Sequence, residues 1–341
     1  MQTTFPAGKL PAACLEEILQ ALRGDDPRLL VGPRPGEDAA VLDVGGGRCL
    51  VVTTDPVTFA TEKIGSYVVH INANDVAVMG AMPQWFFLVL LLPAGRADEV
   101  LLDRITRDVR SACDALGVVV CGGHTEITSG IDRPVAIGQM MGEVERDRLI
   151  RKESLRPGDL VVLTQAAGIE GTAILAHEKR TELAVSVSTS VLDRAARYLE
   201  DPGISIVRPA LAAAATDTVT AMHDPTEGGI VTGLLELAAA SGLGIAVNGD
   251  EITVRPETEA ICQALGVDPL RLIASGALLI GTPPESAPRI VRALRGIGVP
   301  ARVVAEMRPE EEGMVITRRG RATHLELPAR DEIARIFEGT T

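Results

Sequence analysis

The apolar run WFFLVLLLP, from Trp85 to Pro93, limits the possible folds of this chain more than any other stretch. No polar residue alternates with the apolar ones, which is typical of a strand covered on both faces of its sheet. The run is far shorter than the ~20 apolar residues that a membrane-spanning helix needs. It therefore predicts a layered α/β fold and no membrane partner.

Strand and helix patterns alternate on both sides of this run. A helical pattern covers 62–79, another covers 97–116, and strand patterns precede and follow them. The stretch 149–163, LIRKESLRPGDLVVL, is charged and contains Pro-Gly before a new strand, so we place a domain boundary near residue 155. Because 341 residues exceed the ~100–200 of one ordinary domain, we predict two α/β (α+β) domains, 1–155 and 156–341.

The net charge and the cysteine content limit the partners and the cellular compartment that we expect for this protein. The net charge of −13 repels phosphate backbones and anionic membranes, and 2% aromatic residues leave little to stack on bases, so no nucleic acid is expected. An anionic nucleotide would need Mg²⁺ and local hydrogen-bond donors to overcome the negative charge of the protein. Five scattered cysteines form no CxxC pair, and the N-terminus resembles no signal peptide, so we expect a reducing, cytoplasmic location.

Asp75, in the stretch NANDVAVMGAMP, is the most informative single residue. Ile64, Val68, Ile71 and Asp75 fall on one stripe of the predicted helix, so the carboxylate faces the core. An unpaired carboxylate there costs several kcal/mol, which favours a paired or metal-bound group. With Asn72 three residues earlier, the helix presents two oxygen-bearing side chains, the kind of ligand that Mg²⁺ prefers.

Other polar stretches at strand or helix ends each have a structural alternative. Asp38 suits a plain turn, Asp55 before Pro56 a turn or cap, and Asp224 in HDPTEGG a helix N-cap. His124 and His223 are expected to be hydrogen-bonded rather than metal-bound, because no second ligand stands at metal-site spacing. Cys121 ends an apolar strand and is expected to be an inert core residue.

Several of these stretches together resemble one family. VGPRPGEDAAVL, VVTTDP, HINANDVAVMGAMPQWFFLVLLLP, GGHTEI, HDPTEGGIVTGLLELA and ASGALLI are similar, in order and spacing, to the PurM-type ATP-binding superfamily. That superfamily includes aminoimidazole ribonucleotide (AIR) synthetase, thiamine-monophosphate kinase, selenophosphate synthetase and the hydrogenase maturation factor HypE. Within it, the chain most resembles HypE and AIR synthase-related proteins.

The resemblance implies a two-domain PurM-like fold that binds ATP and Mg²⁺, with an N-terminal β-sheet domain that forms a homodimer. It assigns the metal to Asp38, Asp55, Asp75 and Asp224, and catalysis to Asp75, Asp224 and Glu126. A maturation protein is a possible further partner. The nucleotide contacts that it implies are Lys9, Asp38, Asp55, Asn72, Gly122, Gly123, His124, Thr125, Thr226 and Gly228.

Three departures from the family pattern bear on the reaction. HypE ends in a cysteine that carries a carbamoyl group, whereas this sequence ends IARIFEGTT and its last cysteine is Cys262. The GGDT of thiamine-monophosphate kinase reads GGHT here, so His124 replaces a carboxylate and Glu126 is left to compensate. The cysteine loop of selenophosphate synthetase has no counterpart, since Cys14 lies on a predicted helix. Lys9 is either solvated or folds over the phosphates.

Two functions from different classes fit these observations. The first is an ATP- and Mg²⁺-dependent enzyme that activates an amide or acid oxygen of a small-molecule or protein-borne substrate by phosphorylation, with a thiamine-monophosphate-kinase-like enzyme as a variant. The second is a nucleotide-binding maturation or regulatory partner without turnover. Hydrolysis of ATP in the presence of candidate substrates separates the two.

Overall fold

The computed structural model describes residues 5, 10, 12–22, 24–58, 62–327 and 332–338. Two mixed sheets, one from each half of the sequence, carry helices against them. This architecture confirms the predicted α/β class. Within the described ranges, no helix is both long and apolar enough to cross a membrane.

The first sheet has six strands in the order β1-β2-β3-β6-β4-β5. All neighbouring strands are antiparallel except β4 and β5, which run parallel because α3 connects them. Asp98 caps α3 by accepting a hydrogen bond from the Leu101 N–H. The elements are α1 Ala12–Leu22, β1 Leu29–Val31, β2 Ala40–Gly45, β3 Arg48–Val57, α2 Ile64–Val78, β4 Met82–Pro93, α3 Glu99–Leu116, β5 Val119–Thr128 and β6 Val135–Glu145.

The second sheet has seven strands in the order β13-β12-β9-β11-β7-β10-β8, with β9 and β12 as the parallel pair. The strands are β7 Leu160–Thr164, β8 Ala221–His223, β9 Gly244–Asn248, β10 Leu279–Thr282, β11 Ala301–Arg308, β12 Met314–Arg318 and β13 Arg321–His324. The helices are α4 Ile169–Glu178, α5 Arg180–Leu183, α6 Thr189–Ala196, α7 Val207–Ala214, α8 Gly229–Ser241, α9 Pro256–Leu265, α10 Ala287–Gly296 and α11 Glu332–Glu338.

Helix α2 lies at the centre of the molecule. It packs on β3, β4 and β6, on α3, and on α7 and β8 of the second domain. Gly65 allows the approach to α3, because a Cβ there would collide with the Ile105 carbonyl oxygen. Twelve of its fifteen residues are buried, so the helix is enclosed on nearly every side rather than along a single stripe.

Among the described residues the first sheet is covered on one face only, which corrects one prediction. On β4, Phe86, Leu90 and Leu92 are buried, whereas Trp85 and Phe87 on the other face are half-buried. Edge strand β5 is exposed along nearly its whole length. Its Cys121 is therefore exposed and not a core residue, because no further strand or helix of the described chain covers this edge.

Candidate active site between the two domains

Asp75 is buried near the C-terminal end of α2, as its place on the apolar stripe predicted. Its side chain is 5% exposed, and its Oδ2 accepts a hydrogen bond of 2.8 Å from the Thr53 hydroxyl on β3. The same hydroxyl lies 3.0 Å from the carbonyl oxygen of Asp38. Thr53 thus joins the helix to the loop before β2.

Asn72, one turn earlier on α2, fixes the position of Asp55. The Asp55 N–H donates to Asn72 Oδ1 at 2.9 Å, and Asn72 Nδ2 donates to the Asp55 carbonyl at 3.2 Å and to the Val68 carbonyl at 2.8 Å. Gly138 on β6 makes room for this amide, because a Cβ there would collide with it. Asp55 is consequently held within β3, paired with Gly138, and is neither a turn former nor a helix cap.

Asp38 lies in the loop before β2 and contacts two basic groups. Its Oδ2 is 2.8 Å from Lys152 Nζ, and its Oδ1 is 3.1 Å from His223 Nδ1 on β8. His223 Nε2 in turn lies 2.9 Å from Glu236 Oε2 on α8. The Asp38 carboxylate therefore joins the two domains, and His223 is a hydrogen-bonded histidine as predicted.

Burial and the neighbouring charges determine the pKa values of Asp38 and His223. Burial raises the pKa of the Asp38 carboxyl, but the positive charges of Lys152 and His223 outweigh it and hold that pKa well below its usual range. Burial and Lys152 lower the pKa of His223, and Lys152 Nζ lies only 2.9 Å from its Nδ1. Asp38 and Glu236 outweigh both effects and raise that pKa to about 9.

Asp224 follows β8 and is 2% exposed. Its Oδ2 is buried without a hydrogen-bond partner among the described residues. The carboxylate does not stand at the N-cap of α8, because Gly228 occupies that position in a left-handed conformation with φ 73°. The capping alternative for Asp224 is therefore wrong.

The four aspartates form one acidic cluster at the domain junction. Burial raises the pKa of Asp75 well above its usual value, and the charges of Asp224, Asp55 and Asp38 raise it further. Burial and the charge of Asp38 raise the pKa of Asp224 to about 8. A cation placed between these carboxylates would stabilise their ionised forms.

The arrangement fits a hard divalent cation. Asp38, Asp55, Asp75 and Asp224 offer carboxylate oxygens and no thiolate, which is the kind of donor that Mg²⁺ prefers. A buried oxygen without a partner, as on Asp224, is otherwise costly. Asp38, His223 and Asp224 also offer ligand atoms within 4.8 Å of one another. The Lys152 ammonium contacts two of these three, Asp38 and His223.

The remaining candidate residues lie apart from this cluster. Gly122, Gly123, His124, Thr125 and Glu126 are exposed on β5, where His124 Nε2 lies 3.6 Å from Glu126 Oε2. Asp55, Gly138, Leu88 and Gly123 form one row across four strands, which puts Gly123 roughly 14 Å from Asp55. Thr226 and Gly228 lie in the turn before α8, close in sequence to Asp224. Lys9 is outside the described residues.

Sequence reasoning missed Lys152 and Glu236 and left His223 without a role in the site. Lys152 stands in the charged stretch RKES, which reads as a solvated linker, yet its side chain is 2% exposed. Glu236 lies in GLLELAAA, where a single carboxylate in an apolar helix is the same signal that identified Asp75. Asn74, in the same stretch as Asp75, bonds across the domain junction to Ile204 and Ile206.

Two α/β domains that meet at a buried cluster of aspartates define the PurM-like class of fold and site. The chain belongs to the AIR synthase related proteins: the N-terminal domain model of that family matches residues 36–144, and the C-terminal domain model matches 156–317. The family prediction is thereby confirmed.

The proteins to which the chain is similar include HypE and hydrogenase expression/formation proteins. A carbamoyl dehydratase HypE of Rhizobium leguminosarum bv. viciae is 31% identical over 76% of this chain and 73% of its own length. A putative hydrogenase expression/formation protein of Methanocaldococcus jannaschii is 27% identical over 90% of both chains.

Solved structures agree with these relatives. A HypE in complex with ATP superposes with a TM-score of 0.73, at 25% identity over 96% of this chain and 98% of that one. The structure of a HypE–HypF complex has a TM-score of 0.74 at 21% identity, over 92% and 99% of the two chains. At that identity, the second comparison shows the shared fold.

Proposed function

We propose that this chain is an ATP- and Mg²⁺-dependent enzyme of the HypE type, which phosphorylates an amide or acid oxygen of its substrate. The observation that carries the proposal is the buried acidic site at the domain junction, where Asp38, His223 and Asp224 offer ligand atoms within 4.8 Å of one another and an Asp224 oxygen has no hydrogen-bond partner among the described residues. The ATP-bound HypE that shares this fold, and the relatives named carbamoyl dehydratases, support it.

The cluster suits phosphoryl transfer because that reaction depends on position and charge rather than on protein nucleophiles. The substrate oxygen attacks the γ-phosphorus of ATP, the bond from that phosphorus to the β–γ bridging oxygen breaks, and ADP leaves with its electron pair. When bound, Mg²⁺ supplies neutralisation of the phosphate charge. Asp38, Asp55, Asp75 and Asp224 would hold it, while the Thr53 hydroxyl bonds the Asp75 carboxylate and Asn72 bonds the backbone of Asp55.

The acceptor is inferred to be an amide or carboxylic acid and not a thiol of α9. Cys262 is 1% exposed, and burial raises the pKa of its thiol to about 12, so it stays protonated and inaccessible. A protein-borne substrate, presented by a maturation protein, fits the family. The HypE that was solved with HypF supports a partner of this kind.

The first domain would carry a homodimer interface. The half-buried apolar face of β4 continues onto the exposed edge strand β5, where Val119 is 59% and Ile127 is 60% exposed. An uncovered apolar strand edge pairs readily with another chain, and proteins normally cover it. A second copy is the occupant that the family resemblance implies.

The experiment is a measurement of ADP release from ATP by the purified protein, against a panel of amides and carboxylic acids, with Mg²⁺ or with EDTA. We expect Mg²⁺-dependent release that at least one acceptor stimulates, and its loss in Asp224→Asn. Asp103→Asn, which neutralises an exposed carboxylate on α3, is the matched control. If Mg²⁺-ATP binds but no acceptor raises ADP release above background, the chain is the nucleotide-binding partner without turnover.

A further inference from the structure

Helix α10 of the second domain carries a stripe of arginines on its exposed side. Its other side packs against α7 and β11 and consists of the buried residues Ala287, Ile290 and Leu294. The exposed side carries an arginine at every third position, namely Arg289, Arg292 and Arg295. Because an α-helix rises about 1.5 Å per residue, the stripe spans roughly 9 Å along one side of α10.

The chain itself does not neutralise this stripe. Residues 286–305 contain four arginines and no acidic residue, although the whole chain has a net charge of −13. Among the described residues, Arg289, Arg292 and Arg295 have no carboxylate partner, whereas the fourth arginine, Arg302 on β11, pairs with Glu251 at 3.3 Å. Like charges on one side of a helix repel each other, so a bound anion would stabilise the stripe.

An apolar cleft opens beside the stripe. It has a volume of about 490 Å³, and Arg295 and Arg302 contribute to its lining. Its apolar walls include Leu160 of β7, Val291 of α10 and Val303 of β11. Val303 is 36% exposed, so this wall is open to solvent and to a ligand. Apolar walls beside unpaired cations suit a ligand that is both apolar and negatively charged.

We propose that the arginine stripe and this cleft dock an acidic segment of a partner protein, which places an apolar side chain in the cleft and carboxylates on the stripe. Arginine suits this role because its guanidinium donates two parallel hydrogen bonds to one carboxylate. The surface contains no residue of the acidic cluster. The inference therefore goes beyond the proposed function, and neither depends on the other.

The length of the stripe favours a short peptide segment over a nucleic acid. A duplex that lay on the three arginines would extend beyond them, over a chain whose net charge is −13. A peptide with a few carboxylates around one apolar residue ends within the basic surface. Recognition of acidic motifs by arginine clusters is an established mode of peptide binding.

The first experiment selects peptides without assuming their sequence. A display library of random peptides of about twelve residues is panned on the full-length wild-type protein. Peptides that also bind the double variant Arg292→Glu with Arg295→Glu are removed. We expect the remaining peptides to be enriched in Asp and Glu around a Leu, Ile or Phe. A selection that yields no such peptides would overturn the inference.

The second experiment measures affinity with the most frequent peptide, labelled with fluorescein, by fluorescence anisotropy. We expect a micromolar Kd that Arg292→Glu weakens by about tenfold or more. Arg107→Glu, at an exposed arginine of α3, changes the net charge equally and should weaken binding by less than about twofold. Val303→Gln, which makes one wall of the cleft polar at constant charge, should weaken binding by about fivefold.

The variants also separate this surface from two alternatives. Equal weakening by Arg107→Glu and Arg292→Glu would mean that the peptide responds only to net charge, which contradicts a docking surface at α10. Labelled duplex DNA that binds as tightly as the peptide, and loses affinity in Arg292→Glu, would make the stripe a nucleic-acid surface. Arg292→Glu should unfold within about 2 °C of wild type, because the side chain is exposed.

Discussion

Asp75 is a buried carboxylate whose surroundings disfavour its ionised form. Its burial and the charges of three neighbouring aspartates raise its pKa, so the metal-free protein favours its neutral form. A group whose folded-state pKa is raised stabilises the fold at low pH and loses that contribution as pH rises. At neutral pH, ionised Asp75 is therefore expected to favour the folded state only when a cation is bound beside it.

Asp75→Asn tests this role, because asparagine resembles the neutral carboxyl in shape and keeps an oxygen for the Thr53 hydroxyl. We expect the metal-free variant to be as stable as wild type or more stable, within about 1 kcal/mol, since the repelled charge is gone. The stabilisation by Mg²⁺-ATP, roughly 2.7 kcal/mol at a hundredfold excess over Kd, should shrink markedly. Thermal unfolding of both proteins with and without Mg²⁺-ATP measures this.

A structural role would give the opposite pattern. If Asp75 only balanced a buried positive group, its neutralisation would cost about 3–5 kcal/mol without ligand. A large metal-free loss with an undiminished shift by ATP would place Asp75 in the core and remove it from the site. Asp103→Asn, on the exposed side of α3, controls for the loss of a negative charge.

The sequence could predict Asp75 at this scale but not its neighbour Lys152. A carboxylate on an apolar helical stripe conflicts with its surroundings, and the conflict is visible within one turn of helix. Lys152 lies among charged residues, where a solvated side chain is the ordinary expectation. Its burial depends on Gly36, Asp38 and His223, which are distant in sequence, so only the tertiary structure reveals it.

At the scale of elements, α2 carries both the site and the contact between the domains. Asn74 Nδ2 donates to the Ile204 carbonyl at 2.9 Å, and Asn74 Oδ1 accepts from the Ile206 N–H at 2.9 Å, both before α7 of the second domain. The Asn74 side chain therefore satisfies one backbone carbonyl and one backbone N–H of the second domain across the junction. The helix itself follows from the sequence pattern, but the purpose of Asn74 does not, because its partners lie 130 and 132 positions away.

Asn74→Ala is expected to destabilise the protein by about 2–4 kcal/mol, because it leaves two buried backbone groups without partners. Urea unfolding monitored by circular dichroism gives the free energy of unfolding for comparison. Asn248→Ala, at an exposed position on β9, is the matched control and should change stability by less than about 1 kcal/mol. Equal effects of the two substitutions would contradict the bridging role of Asn74.

At the scale of the whole molecule, the first sheet has more apolar surface than its own chain covers. The run Trp85–Pro93 predicts a strand covered on both faces, and within the chain only one face meets that expectation. A second copy reconciles the two, because it would cover the outer face and the edge strand β5.

A homodimer is the expected state at micromolar concentration, measured by light scattering during size-exclusion chromatography. Ile127→Lys puts a charge on the proposed interface and should shift the protein toward the monomer. Val185→Lys changes a residue that is 89% exposed in the second domain and should leave the dimer intact. A wild-type monomer at this concentration would disprove the proposed interface.

The fold was largely predictable because period-two and period-3.6 patterns are local, whereas the details of the domain junction are not. The helices near 62–79 and 97–116 were placed within a few residues of α2 and α3. The boundary near residue 155 stays a prediction and falls between the two sheets.

We propose that the buried aspartates bind ATP through a divalent cation. It is tested most directly by the thermal midpoint of the wild-type protein with Mg²⁺ and ATP together, with ATP and EDTA, and with Mg²⁺ alone. We predict a clear rise with Mg²⁺ and ATP together that EDTA abolishes, and no such rise in Asp224→Asn. An equal rise by ATP in EDTA would contradict the account, because the aspartates would then not act through a metal ion.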